Sequence, residues 1–137
     1  MADVLLVEDD LDSADAVARI LSRAGHSVRG APNGREAVAA LTTQTPDVVI
    51  LDYKMPEMDG VSFLEVIRCY LRWQKLPVIL LTGYREGTHI RRAAELGVRT
   101  TFLKGDYDPD VLLAYVDSCV MSPIVPEPPP SHPGLFN

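Results

Sequence analysis

Three short runs of consecutive apolar residues stand out along the chain, at residues 4–7, 48–51 and 78–81. Each has the length of a β-strand, and an uninterrupted apolar run is typical of a strand buried on both faces. Weaker candidates lie around Val28 and at residues 100–103. The pattern therefore predicts five strands in one covered sheet.

Between these runs, apolar residues recur at intervals of three and four, which is the spacing of one helix face. The predicted helical faces comprise Ala14, Val17, Ala18 and Leu21; Ala37, Val38 and Leu41; Val61, Leu64, Ile67 and Leu71; Ile90, Ala93 and Ala94; and Val111, Leu112, Tyr115 and Val116. Buried strands that alternate with helices indicate the α/β class, with a doubly wound, five-stranded parallel sheet and helices on both faces.

Proline divides the chain into two parts. Six of the 11 prolines lie between Pro123 and Pro133, in a stretch without helical or strand periodicity. Such a stretch is typical of an extended tail or linker. We therefore expect a folded domain at residues 1–121 and a proline-rich tail or linker at residues 122–137.

Composition and charge argue against several classes of protein. The chain has 137 residues, is 47% hydrophobic and carries a net charge of -6. The hydrophobic fraction excludes full-length disorder, and the acidity argues against nucleic acid or an anionic membrane as the main partner. Two cysteines are too few for a disulfide framework, and no signal peptide or membrane-spanning run is evident. We expect a cytoplasmic protein.

Polar residues follow four of the predicted strands. They are Glu8, Asp9 and Asp10 after the first strand, Asp52 at the end of the third, Thr82 at the end of the fourth, and Lys104 after the fifth. Because the carboxyl ends of parallel strands share one sheet edge, these side chains should lie close together. Clustered carboxylates repel one another unless a cation joins them.

Mg²⁺ is the simplest cation for this edge, because it prefers oxygen ligands. The sequence shows no cluster of histidine and cysteine that would suit zinc. His26, His89 and His132 are scattered along the chain, and we expect surface or loop positions for them.

Four motifs together resemble the receiver domain of bacterial two-component response regulators. They are VLLVEDD at residues 4–10, VVILDYKMPEMDG at 48–60, LPVILLTG at 76–83, and Lys104. The resemblance covers about residues 3–120 and is most specific at residues 52–60. It implies a flavodoxin-like sheet with the strand order 2-1-3-4-5.

The resemblance also implies roles for individual residues. Asp52 would be the phosphoacceptor. Glu8, Asp9, Asp52 and the backbone carbonyl of Lys54 would hold Mg²⁺. Thr82 and Lys104 would stabilise the phosphoryl group, while the side chains of Lys54 and Tyr84 would tune its lifetime.

The function that the resemblance implies is a phosphorylation-controlled switch rather than an enzyme acting on outside substrates. The phosphoryl group would come from a histidine kinase or a histidine phosphotransfer protein. A downstream protein or a fused output domain would read the change, and dimerisation on phosphorylation remains open. Catalysis would be limited to the domain's own phosphorylation and slow autodephosphorylation.

The switch region departs from the family pattern. Thr101 stands where the family usually has an aromatic residue, and Phe102 should face the opposite side of the strand, toward the core. Gly105 follows Lys104 where the family usually has proline. These departures keep open a constitutive receiver-like interaction module with non-standard switching.

Two further alternatives are less consistent with the residues. A phosphohydrolase with an aspartyl nucleophile would need a second aspartate at the position of Lys54. A nucleotide or flavin binder would need phosphate-binding donors after the first strand, where the acidic residues 8–10 would repel phosphate.

Overall fold

The structure is a computed structural model that describes residues 1–84 and 87–121. The predicted proline-rich tail at residues 122–137 lies outside the described residues. The domain boundary at residue 121 therefore stays a prediction.

Strands and helices alternate along the described residues. The strands are β1 (Asp3–Val7), β2 (Ser27–Ala31), β3 (Val48–Asp52), β4 (Val78–Thr82) and β5 (Thr100–Leu103); the helices are α1 (Leu11–Arg23), α2 (Gly34–Thr43), α3 (Gly60–Arg68), α4 (Thr88–Glu95) and α5 (Pro109–Met121). A short 3-10 helix at Leu71–Trp73 follows α3. None of the helices in these ranges is long and apolar enough to cross a membrane.

The five strands are parallel and lie in the order β2-β1-β3-β4-β5, as predicted. Every residue of β3 and β4 is buried. This burial on both faces explains why those two strands read as unbroken apolar runs. Asp52 and Thr82, the last residues of β3 and β4, are therefore held by strands that are packed on both faces.

Alternate strand residues enter two apolar layers, one on each face of the sheet. Leu5, Leu51 and Leu80 belong to the layer that also holds the buried side chains of α2 and α3. Leu6 and Ile50 belong to the opposite layer, which includes the buried side chains of α1 and α5. The two layers confirm the predicted doubly wound architecture with helices on both faces.

The third helix is shorter than its apolar spacing indicates. Leu71 was expected on the buried face of this helix, but α3 ends at Arg68 and Leu71 is 86% exposed. Tyr70 is extended, so the chain leaves the helical path before Leu71. Trp73 turns inward instead and is buried.

The side chain of Arg68 stabilises this altered path. Its Nε donates to the carbonyl of Leu96 at 2.8 Å, and its Nη1 donates to the carbonyls of Trp73 and Leu76 at 2.7 and 2.9 Å. Burial lowers the pKa of the guanidinium. Arg68 thus joins the end of α3, the 3-10 helix and the carboxyl end of α4.

We expect Arg68→Met to lower the free energy of unfolding by about 3 kcal/mol, because three partly buried carbonyls lose a charged donor. Urea denaturation followed by the fluorescence of Trp73 would measure the change. Arg91→Met, at an exposed arginine of α4, is the control and should shift stability by less than about 0.5 kcal/mol. Equal stabilities of the two variants would contradict this role.

Candidate functional site

Polar side chains lie at the carboxyl ends of four strands, along one edge of the sheet. Glu8 follows β1 directly, Asp52 ends β3, Thr82 ends β4 and Lys104 follows β5. Asp52 pairs in register with Leu81, and Thr82 with Leu103. Parallel pairing therefore brings together residues that are far apart in sequence.

Three carboxylates form the acidic part of this edge. Glu8 and Asp52 are 4% and 2% exposed, whereas Asp9 is exposed. One oxygen from each of the three lies within 4.8 Å of the others. The site is thus partly buried and open to solvent on the side of Asp9.

Lys104 brings a positive charge to these carboxylates. Its Nζ lies 2.7 Å from Oε1 of Glu8 and 3.4 Å from Oδ2 of Asp52. Both distances allow an ion pair, yet neither oxygen receives a hydrogen bond of good geometry from a described residue. Two buried carboxyl oxygens therefore remain only partly satisfied among the described residues.

Burial and the neighbouring charges shift the protonation of this cluster. Burial raises the pKa of Glu8 to about 7; the adjacent Asp52 adds to the rise and Lys104 opposes it. Burial alone would lower the pKa of Lys104, but Glu8 and Asp52 outweigh it and raise that pKa. The cluster holds excess negative charge that one lysine does not fully balance.

The donor set fits Mg²⁺. The three residues offer oxygen ligands only, and the two unsatisfied oxygens are those of buried carboxylates. Hard oxygen ligands, with part of the coordination left to water, are what this ion requires.

The loop after β3 is tightly constrained. The N–H of Gly60 donates to the carbonyl of Tyr53 at 2.7 Å, and a Cβ at Gly60 would lie 2.8 Å from the carbonyl oxygen of Asp52. Glu57 has a φ of 70°, and the N–H of Met58 donates to the carbonyl of Pro56 across it. Only glycine allows this close approach of α3 to Asp52.

The hydroxyl of Thr82 contacts His89, a residue that the sequence patterns did not connect with the site. Its Oγ1 lies 3.0 Å from Nε2 of His89 and accepts from the N–H of Tyr84 at 3.2 Å. His89 was expected at a surface or loop position; it lies in the first turn of α4, is partly exposed, and also contacts this sheet edge. A cue was available: His89 follows β4 by only seven residues.

Aromatic rings surround His89. Its imidazole stacks on Tyr53 with ring centroids 4.1 Å apart, and Tyr84 meets it edge-on at 5.7 Å. Lys54 and Tyr84 are exposed and help to line a cavity of about 470 Å³ with these rings. Both predicted lifetime-tuning side chains therefore lie on one side of the site.

The two remaining switch-region residues lie on opposite faces of β5. Phe102 is buried in the layer with α1 and α5, where its ring contacts Tyr107 and Tyr115. Thr101 lines a cavity of about 380 Å³ together with Thr82. Phe102 therefore does not fill the aromatic position that Thr101 leaves vacant.

The loop after β5 turns at Gly105, which has a φ of 79°. The N–H of Lys104 donates to the carbonyl of Thr82 at 2.7 Å, and the N–H of Asp106 donates to that of Leu103 at 3.0 Å. These backbone bonds connect the lysine to the end of β4.

Known proteins share this fold and much of this sequence. The model of the response regulator receiver domain matches residues 4–117. Sporulation initiation phosphotransferase F of Bacillus subtilis is 33% identical over 74% of this chain and 80% of its own length. The DNA-binding transcriptional regulator NtrC of Klebsiella pneumoniae is 35% identical over 84% of this chain, which spans 24% of that protein.

A solved structure agrees with these matches. The receiver domain of a signal transduction histidine kinase from Syntrophus aciditrophicus superposes with a TM-score of 0.81 and 30% identity, over 93% of this chain and 95% of that one. The family match covers most of the chain, and it includes the acidic cluster, Thr82 and Lys104. The chain belongs to the receiver domain family of two-component response regulators.

Proposed function

We propose that Asp52 accepts a phosphoryl group and that the chain acts as a phosphorylation-controlled signalling switch. The observation that carries the proposal is the placement of the buried Asp52 carboxylate beside Glu8, Asp9 and Lys104, with an Oδ2 that receives no hydrogen bond from the described residues. An unsatisfied carboxylate oxygen is available as a nucleophile.

The donor in this proposal is a phosphohistidine on a kinase or a phosphotransfer protein. An oxygen of Asp52 attacks phosphorus, the phosphorus–nitrogen bond of the donor breaks, and its electron pair stays with the leaving nitrogen. Lys104 balances charge on the phosphoryl oxygens, and the hydroxyl of Thr82 donates a hydrogen bond to one of them.

Glu8, Asp9 and Asp52 would hold Mg²⁺, with the backbone carbonyl of Lys54 as a further ligand. When bound, the ion neutralises charge that develops on the phosphoryl oxygens. Asp52 lies at the rigid end of β3, so its carboxylate is fixed in orientation before the donor arrives.

The output of the switch is a changed protein surface. Added charge at Asp52 alters the groups around it, and a downstream protein or a fused output domain reads that change. The chain is similar to part of a DNA-binding transcriptional regulator and to the receiver domain of a histidine kinase. A constitutive interaction module is not favoured, because the acids, the threonine and the lysine are assembled at one edge.

We expect phosphate from a small phosphodonor to be incorporated with Mg²⁺ present, and Asp52→Asn to lose at least about 90% of it, since the amide is a poor nucleophile. Intact-mass spectrometry measures the added phosphate. Asp15→Asn, at an exposed position of α1, is the control and should label like the unaltered chain. Equal labelling of the two variants would refute the proposal.

Mg²⁺ affinity should fall about tenfold from pH 8 to pH 6. Burial, with help from Asp52, raises the pKa of Glu8 to about 7, so a proton increasingly occupies this ligand as the pH falls. Titration calorimetry at several pH values measures the slope. Glu8→Gln should bind weakly with a nearly flat profile, and an unchanged slope in that variant would contradict the assignment.

Tyr84→Ala should shorten the lifetime of the phosphorylated state by about 3- to 10-fold, because the exposed ring beside the site would no longer hinder the attacking water. The decay of the phosphorylated mass with time measures this lifetime. Tyr84→Phe keeps the ring and should decay like the unaltered chain. A lifetime in Tyr84→Ala that is as long would exclude the screening role.

A further inference from the structure

The hydroxyl of Thr82 lies within hydrogen-bond distance of the side chain of His89. Thr82 is 1% exposed, and within the described residues hydrogen bonds join its Oγ1 to two groups. The N–H of Tyr84 donates to Oγ1, and the hydroxyl keeps its own proton available for donation. When the imidazole of His89 carries its proton on Nδ1, its Nε2, 3.0 Å away, accepts the hydroxyl proton.

The surroundings of His89 hold its ring in the position that this bond needs. The imidazole stacks on Tyr53 at a centroid distance of 4.1 Å and meets the edge of Tyr84. It also lies against Gly87, where a Cβ would stand 2.7 Å from Nδ1. The ring is therefore held by contacts from two loops, the one after β3 and the one between β4 and α4, and its Nε2 lies beside Oγ1 of Thr82.

The same hydroxyl is required elsewhere when Asp52 is phosphorylated. One hydroxyl proton cannot serve Nε2 and a phosphoryl oxygen at once. Thr101, on the neighbouring strand β5, has no aromatic ring that could contact this hydroxyl. The aromatic ring that is hydrogen-bonded to the Thr82 hydroxyl is instead the imidazole of His89, in α4.

We propose that His89, with its ring proton on Nδ1, is a positioning residue that holds the hydroxyl of Thr82 while Asp52 is unmodified and releases it when a phosphoryl group binds. This inference rests on the proposed phosphorylation of Asp52. His89 is the second residue of α4. The exchange of one hydrogen bond therefore transmits the state of Asp52 to the amino end of that helix.

The need to break the hydrogen bond between Thr82 and His89 should lower the affinity of the site for a phosphoryl group. A typical hydrogen bond between neutral groups, once broken, changes an equilibrium by about 3- to 10-fold. A chain that lacks the competing acceptor should bind a phosphoryl mimic more tightly by that factor.

The test uses the full 137-residue chain, beryllium fluoride as the phosphoryl mimic, and Mg²⁺. Titration calorimetry should show that His89→Phe, which keeps a ring against Tyr53, binds the mimic about 3- to 10-fold more tightly than the unaltered chain. His89→Gln, whose amide can accept near the position of Nε2, should bind within about twofold of it. Equal affinities for all three chains would overturn the inference.

A double-mutant cycle excludes an indirect effect of the ring. In a Thr82→Val background, His89→Phe should leave the affinity for the mimic unchanged, because no hydroxyl remains to be shared. A gain in affinity that persists in this background would overturn the inference, since it would not depend on the hydrogen bond.

A measurement on the unaltered chain avoids dependence on any variant. The ¹⁵N resonance of His89 Nε2 should shift when the mimic binds, because this nitrogen loses the Thr82 proton. A resonance that stays fixed while mimic binding is observed would overturn the inference about His89 alone. Absence of mimic binding to the unaltered chain would instead refute the proposed phosphoryl site.

Discussion

The structure depends on the burial of two carboxylates beside each other at the carboxyl edge of the sheet. Glu8 and Asp52 are almost inaccessible to solvent, and Lys104 is the cation that lies against both. Burial of like charges is unfavourable unless a counter-charge accompanies them. The domain therefore retains, at the ends of its buried central strands, a site that favours added positive charge.

The rest of the fold keeps that unfavourable arrangement in place. β3 and β4 are buried on both faces, so the strand ends that carry Asp52 and Thr82 cannot shift without disturbing two apolar layers. Gly60 brings α3 against the backbone of Asp52. Packing of β3, β4 and α3 thus holds the polar side chains at this edge in place.

Sequence patterns predicted the features that depend on local periodicity and on strand ends. The apolar runs indicated the sheet, and the residues that follow those runs indicated which side chains meet. The position of Leu71 escaped prediction because α3 ends where Arg68 binds carbonyls of other segments, and spacing carries no information on such contacts. The role of His89 was missed for the same reason, since its ring is held by Tyr53 and Tyr84 from separate loops.

The two ends of α4 are held differently. At the carboxyl end, the guanidinium binds the carbonyl of Leu96 and two further carbonyls. At the amino end, the side chain of His89 is joined to Thr82 by one hydrogen bond. Because the carboxyl end is bound more extensively, we expect α4 to rotate about that end when the hydrogen bond between His89 and Thr82 breaks, with the largest displacement at Thr88.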